Sequence, residues 1–125
     1  MSGGTALLQV LVLDDDKRVC EAVCLALRDS GFTVFGTTDI ETALTAIANA
    51  TPSVVVTDLQ MAGSEGAAVV GLLRRRFPEI QVVAMSGDHD LANEALALGA
   101  KVFLRKPLRR GAMASHVGAL VHAAA

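Results

Sequence analysis

The sequence has no tryptophan and no tyrosine, and its aromatic content of 3% comes from four phenylalanines. That removes the stacking platforms on which single-stranded nucleic acids are held. Neither charge sign is in large excess: 11 Lys and Arg stand against 13 Asp and Glu, for a net charge of −2. Such a balance generates no field that would draw nucleic acid or an anionic membrane surface. Long apolar runs are missing too. The longest uncharged stretch, residues 42–57, contains Asn49, Thr51, Pro52 and Ser53, so it reads as helix, turn and strand. A membrane-spanning helix needs about 20 predominantly apolar residues. The N-terminus lacks the basic, apolar and small-residue order of a secretory signal, so a soluble cytoplasmic protein is expected. Cysteine is scarce, with only Cys20 and Cys24. They lie one helical turn apart, where Cβ atoms are about 5–6 Å apart, whereas a disulfide wants about 3.8 Å. They read as reduced core thiols.

What is present is a chain of 125 residues with 52% hydrophobic content. A domain of this size buries roughly two-thirds of its unfolded-chain surface. One domain over residues 1–125 is expected, with its core over about 8–122. Five short Val-rich runs, at 8–13, 32–36, 53–57, 80–85 and 101–104, alternate with five helical patterns. Near-continuous apolarity fits strands of a parallel sheet covered on both faces. The first helix follows the acidic cluster and ends near Ser30–Gly31, where glycine acts as a stop. The second starts at "TDIE", where Thr38 and Glu41 fit a capping box and Asp39 is a rival cap. The third carries Val69 or Val70, Leu73 and Phe77 before Pro78. The fourth has Leu91, Ala95 and Leu98 before Gly99, and the fifth has Met113, Val117 and Leu120 on one stripe. This alternation predicts an α/β, flavodoxin-like (βα)5 three-layer sandwich, with a parallel five-stranded sheet of order 2-1-3-4-5. Ligands in such folds bind outside the carboxyl ends of the strands, at the switch point between strands 1 and 3.

That edge collects the chemistry. Strand 1 ends at Asp14–Asp15, strand 3 at Asp58, strand 4 at Ser86 and strand 5 at Lys106. Three carboxylates invite a hard cation, and Mg²⁺ commonly takes one or two carboxylates together with phosphate and water. A hydroxyl and an ammonium beside them suit the oxygens of a phosphoryl group in transfer, and a carboxylate can itself be the nucleophile. Asp16 reads instead as the N-cap or first-turn acid of helix 1.

The motifs "VLDDDKR", "VVVTDLQM", "AMSGD" and "FLRKP", in this order on strand ends, make the chain resemble a receiver domain of the two-component response-regulator family, over residues 8–122. The resemblance implies that Asp58 accepts a phosphoryl group from a phosphohistidine on a histidine kinase or histidine phosphotransfer protein. It implies Mg²⁺ or Mn²⁺ as cofactor, with Asp15 a direct ligand, Asp14 a ligand through water, and Asp58 and the backbone carbonyl of Gln60 completing the set. Ser86 would hold a phosphoryl oxygen, and Lys106 would pair with the phosphoryl group or with Asp58. Ser86 and Phe103 occupy the switch positions, and the switched surface is helix 4, strand 5 and helix 5. Homodimerisation through that face also comes with the family. Such a domain catalyses its own phosphorylation and dephosphorylation and is not an enzyme in the conventional sense.

Some positions depart from the pattern. Ala62 stands where the family usually has proline, while Glu65–Gly66 match it. Phe103 lacks a phenolic hydroxyl, so a switch there works by packing. Gln60 and Asp88 sit where the family tunes acyl-phosphate lifetime. His89 reads as a surface histidine after strand 4. His116 and His122, six apart, lie on different helix faces and form no metal pair. The basic runs 73–76 and 105–110, with Arg109 and Arg110, read as solvated ends. The alternative from another class is a receiver-like protein-binding module that is never phosphorylated. A haloacid-dehalogenase-like phosphatase would place a second Asp two residues after the first, where Gln60 stands, and a flavin site favours the absent aromatics. No effector follows within the 125 residues, so output runs through protein contacts or through domains outside this chain.

Overall fold

The computed structural model describes residues 7–61 and 66–124; Ala62 and Glu65 lie outside the described residues. Five strands, β1 (Val10–Leu13), β2 (Val34–Thr37), β3 (Val54–Asp58), β4 (Gln81–Ser86) and β5 (Val102–Arg105), form one parallel sheet in the order β2-β1-β3-β4-β5. They alternate with α1 (Lys17–Asp29), α2 (Ile40–Ala50), α3 (Ala68–Arg76), α4 (Ala92–Ala97) and α5 (Ala112–Ala124). The expected α/β architecture and strand order are both present.

Strand alternation builds the two cores. Val10, Val12, Val54, Val56, Val83 and Met85 pack on one face with Cys20, Leu27, Met113 and Val117 of α1 and α5. Leu11, Leu13, Val55, Val82 and Ala84 pack on the other with Ile47, Val70, Leu73 and Ala95 of α2, α3 and α4. Burial on both faces holds for β1, β3 and nearly all of β4, but β2 and β5 are only half-buried, because each is an edge strand.

Several boundaries differ from expectation. Asp39, not Thr38, caps α2: its carboxylate accepts from the Thr42 amide at 2.9 Å, where a capping box would have used Thr38 and Glu41. Leu91 belongs to a 3-10 turn, His89–Leu91, ahead of α4, and Leu98 is exposed beyond its end. The buried stripe of α5 runs Met113, Val117 and Val121, with Leu120 at its margin. The expected stops do hold: Gly31 and Gly99 follow α1 and α4 at φ of 97° and 114°, a region that costs glycine little.

Both cysteines are free and buried, and they face Gly36 of β2. A Cβ at Gly36 would collide with Cys24 Sγ and lie 3.0 Å from Cys20 Sγ, so the thiols fill the space glycine leaves. Burial pushes the Cys20 thiol up to about 12 and raises Cys24 as well.

Candidate functional site

The parallel register brings the strand ends level. Leu13 pairs with Thr37 and Thr57, Asp58 with Met85, and Ser86 with Arg105. Asp14, Asp58, Ser86 and Lys106 therefore stand along one edge, at the carboxyl ends of β1, β3, β4 and β5.

Three of them meet. The Lys106 ammonium lies 2.8 Å from Asp14 Oδ2 and 3.3 Å from Asp58 Oδ1. Asp14 is fully buried, and both its oxygens are occupied: Oδ2 by Lys106 and Oδ1 by the Asp16 amide at 2.8 Å. Asp58 is nearly buried, and its Oδ1 accepts from the Gln60 amide at 3.3 Å. Among the described residues no donor is bonded to Asp58 Oδ2, yet no buried side-chain oxygen is left without a partner.

Burial raises Asp14 above the usual carboxylate range, and the nearby Asp58 charge adds to it; the bonds from Lys106 and the Asp16 amide offset this only partly. Burial pulls Lys106 down, but its bond to Asp14 and the charges of Asp14 and Asp58 outweigh that, and it stays protonated above its ordinary value. Two buried carboxylates share one ammonium, so the crevice is short of positive charge.

The remaining expected residues are placed less tightly. Ser86 is buried on the same edge, and its hydroxyl oxygen accepts from the Asp88 amide at 2.9 Å. Asp15 and Gln60 are exposed at the rim. Among the described residues no three His, Cys, Asp or Glu side chains are gathered to hold a metal by themselves; Asp15 stands at the surface, and Lys106 lies between Asp14 and Asp58. Asp16 caps α1, accepting from the Arg18 amide at 2.8 Å and the Val19 amide at 3.4 Å, as expected.

Two features were not legible beforehand. The nearer partner of Lys106 is Asp14 rather than Asp58, which sequence spacing does not decide. His89 is exposed, as expected, but its ring also meets Phe103 edge-on, with centroids 6.3 Å apart and planes at 68°. Beside Lys106, an apolar cavity of about 580 Å³ opens between α1 and the segment after β5, lined by Arg18, Val19, Ala22, Val23, Pro107 and Leu108. No helix among the described residues is long and apolar enough to cross a membrane.

Comparison with known proteins agrees with this geometry. Residues 10–118 match the family model described as response regulator receiver domain. The chain is 34% identical over 107 residues to the response regulator protein FleR of Pseudomonas aeruginosa, covering 84% of this chain and 23% of that protein. It is 36% identical over 114 residues to the transcriptional regulatory protein FixJ of Azorhizobium caulinodans, covering 90% of this chain and 54% of that one. It thus spans about a quarter to a half of the length of these relatives. Among solved structures, a CheY-like receiver domain from Methanospirillum hungatei superposes with a TM-score of 0.85 at 17% identity, covering 95% of this chain and 97% of that one. The beryllofluoride-activated NtrC4 receiver domain dimer gives 0.85 at 21%, covering 95% and 100%. With its strand order, its edge of acids and lysine and its family match over residues 10–118, the chain belongs to the receiver-domain family of two-component response regulators.

Proposed function

We propose that this chain is a single phospho-accepting receiver domain over residues 1–125, acting in the cytoplasm, with Asp58 as the acceptor. Its donor is a phosphohistidine on a histidine kinase or histidine phosphotransfer protein. A carboxylate oxygen of Asp58 attacks phosphorus, the P–N bond breaks, and its electron pair returns to the imidazole, leaving an acyl phosphate. Hydrolysis reverses the state: water attacks phosphorus, inorganic phosphate leaves, and the carboxylate returns. The domain promotes both steps on itself and turns over no external substrate.

The observation that carries this reading is the Lys106 ammonium held against Asp14 and Asp58, with Asp58 Oδ2 bonded to no donor among the described residues. A nucleophile needs a free lone pair, and the bridging ammonium sits where phosphoryl oxygens would gather charge. Ser86 would donate its hydroxyl proton to one of those oxygens. The charge deficit of the crevice fits a divalent cation, for which Asp14, Asp15, Asp58 and the Gln60 carbonyl are the ligands proposed. Bound Mg²⁺ or Mn²⁺ would supply charge neutralisation for the phosphoryl oxygens. Phe103 would act with Ser86 as the switch, and the face of α4, β5 and α5, with Leu96 and Leu98 exposed on or beside α4, would carry the output, including homodimerisation.

The test uses Mg²⁺ with a small acyl-phosphate donor, read by intact mass, or with beryllofluoride, read by NMR. Wild type should gain one phosphoryl group, and Asp58→Asn should gain none. Absence of any Mg²⁺-dependent change in wild type overturns the proposal.

A further inference from the structure

His89 has no part in the chemistry above, yet its ring meets that of Phe103 on β5. It begins the 3-10 turn that leads into α4. Its neighbour Asp88 is tied twice: the Asp88 amide donates to Ser86 Oγ at 2.9 Å, and the Asp88 carboxylate accepts from the Asp90 amide at 2.9 Å. The loop from Ser86 to Asp90 is therefore a short bonded path from the crevice to the His89 ring. Phe103 lies on β5 three residues before Lys106, is half-buried, and packs against the core face that carries α2, α3 and α4. The ring pair at 6.3 Å and 68° closes the gap between the β4–α4 loop and β5.

We propose that His89 is a positioning residue: it seats Phe103 in the resting state and links that seat to Ser86. This rests on the phosphoryl reading of Asp58. When a phosphoryl group, or beryllofluoride in its place, draws the Ser86 hydroxyl toward Asp58, the bond from the Asp88 amide has to lengthen or follow. Asp88 is bonded into the turn, so His89 moves with it and the edge contact with Phe103 opens. The pair then works as a latch that weighs against the activated state by the strength of one edge-to-face contact.

The latch makes a signed prediction. Losing the contact destabilises only the resting state, so His89→Ala should tighten apparent beryllofluoride binding by about two- to tenfold, the range expected of one aromatic pair. A merely structural role would loosen it or leave it unchanged. His89→Phe keeps an edge contact and should restore wild-type affinity. The chain has three histidines, His89, His116 and His122, so imidazole NMR of the whole chain is readable, with assignment by His→Gln variants. Adding Mg²⁺ and beryllofluoride should move the His89 ring signals away from their Phe103-shifted position, and Phe103→Leu should show them already moved. If Asp58 takes up beryllofluoride while the His89 ring stays still, or if His89→Ala binds no tighter, the latch is wrong and the acceptor reading stands. If wild type takes up no beryllofluoride at all, both fail together.

Discussion

Lys106→Met is the perturbation that reads the crevice most directly. Methionine keeps much of the stem but removes the ammonium that lies 2.8 Å from Asp14 and 3.3 Å from Asp58. Deleting one partner of a buried ion pair costs about 3–5 kcal/mol, because the remaining charge is left uncompensated. The Lys106 side chain is 22% exposed, so screening by solvent sets the cost nearer the low end, about 3 kcal/mol. With a urea dependence of about 2 kcal/mol per molar, the unfolding midpoint should fall by about 1.5 M. Far-UV circular dichroism is the assay, since the chain has no tryptophan to report fluorescence.

The sign of the pH dependence separates this from a general packing defect. Asp14 is already raised by burial and by Asp58, and two of the influences holding it down come from Lys106. Without Lys106 it rises further. A carboxyl whose folded pKa lies above its unfolded value of about 3.9 takes up its proton more readily in the folded state, so that contribution is present at low pH and lost as pH rises through the folded value. The deficit of Lys106→Met should therefore be largest at pH 7.5 and shrink toward pH 5. An equal deficit at both pH values, or one below about 0.5 kcal/mol at pH 7.5, would refute the ion-pair reasoning, because surface substitutions cost no more than that.

Gly36→Ala should destabilise by about 1–3 kcal/mol through overpacking, since its Cβ meets Cys24 Sγ; the cost should fall by more than half in a Cys24→Ala background, measured as a urea double-mutant cycle. With Cys20 raised to about 12 and Cys24 also raised, native protein at pH 8 should react with a disulfide reagent only as fast as it opens, and a rapid native-state burst would contradict the burial argument. Asp16→Ala removes the α1 cap and should cost about 1 kcal/mol of stability, while leaving Mg²⁺-dependent modification of Asp58 at the wild-type rate.

The fold was legible because its signal is periodic. Val10 and Val12 face one helix layer and Leu11 and Leu13 the other, and runs of this kind admit few structures besides a doubly covered parallel strand. The site's edge followed from the same fact, since chain direction alone puts Asp14, Asp58, Ser86 and Lys106 at strand ends. What escaped were choices between neighbours at the same edge or cap. Thr38 and Asp39 are both capping types, and only the backbone entering α2, extended at Asp39, decides between them. Lys106 has two acids within reach, and the deeper one takes the shorter contact. The His89–Phe103 pair joins residues fourteen apart on either side of α4, one in a 3-10 turn and one in a strand, where no single periodicity applies.

Asp14, Asp15 and Asp16 show how far identical neighbours can diverge. Asp14 follows β1 at zero exposure with both oxygens bonded, one to a lysine from the far end of the chain and one to the Asp16 amide. A carboxylate so fully engaged is a poor nucleophile and a good electrostatic anchor. Asp15 is exposed, and Asp16 spends its carboxylate on the amides of Arg18 and Val19 at the start of α1. Asp58, across one strand pairing, has the complementary arrangement: nearly as deep, paired with the same lysine, but with Oδ2 bonded to no donor among the described residues. The two differ in bonding more than in depth, and that difference is what the proposed roles of Asp58 as acceptor and Asp14 as electrostatic anchor rest on. The Asp14–Asp16 bond also joins the crevice to the cap of α1, the helix that lines the apolar cavity beside Lys106.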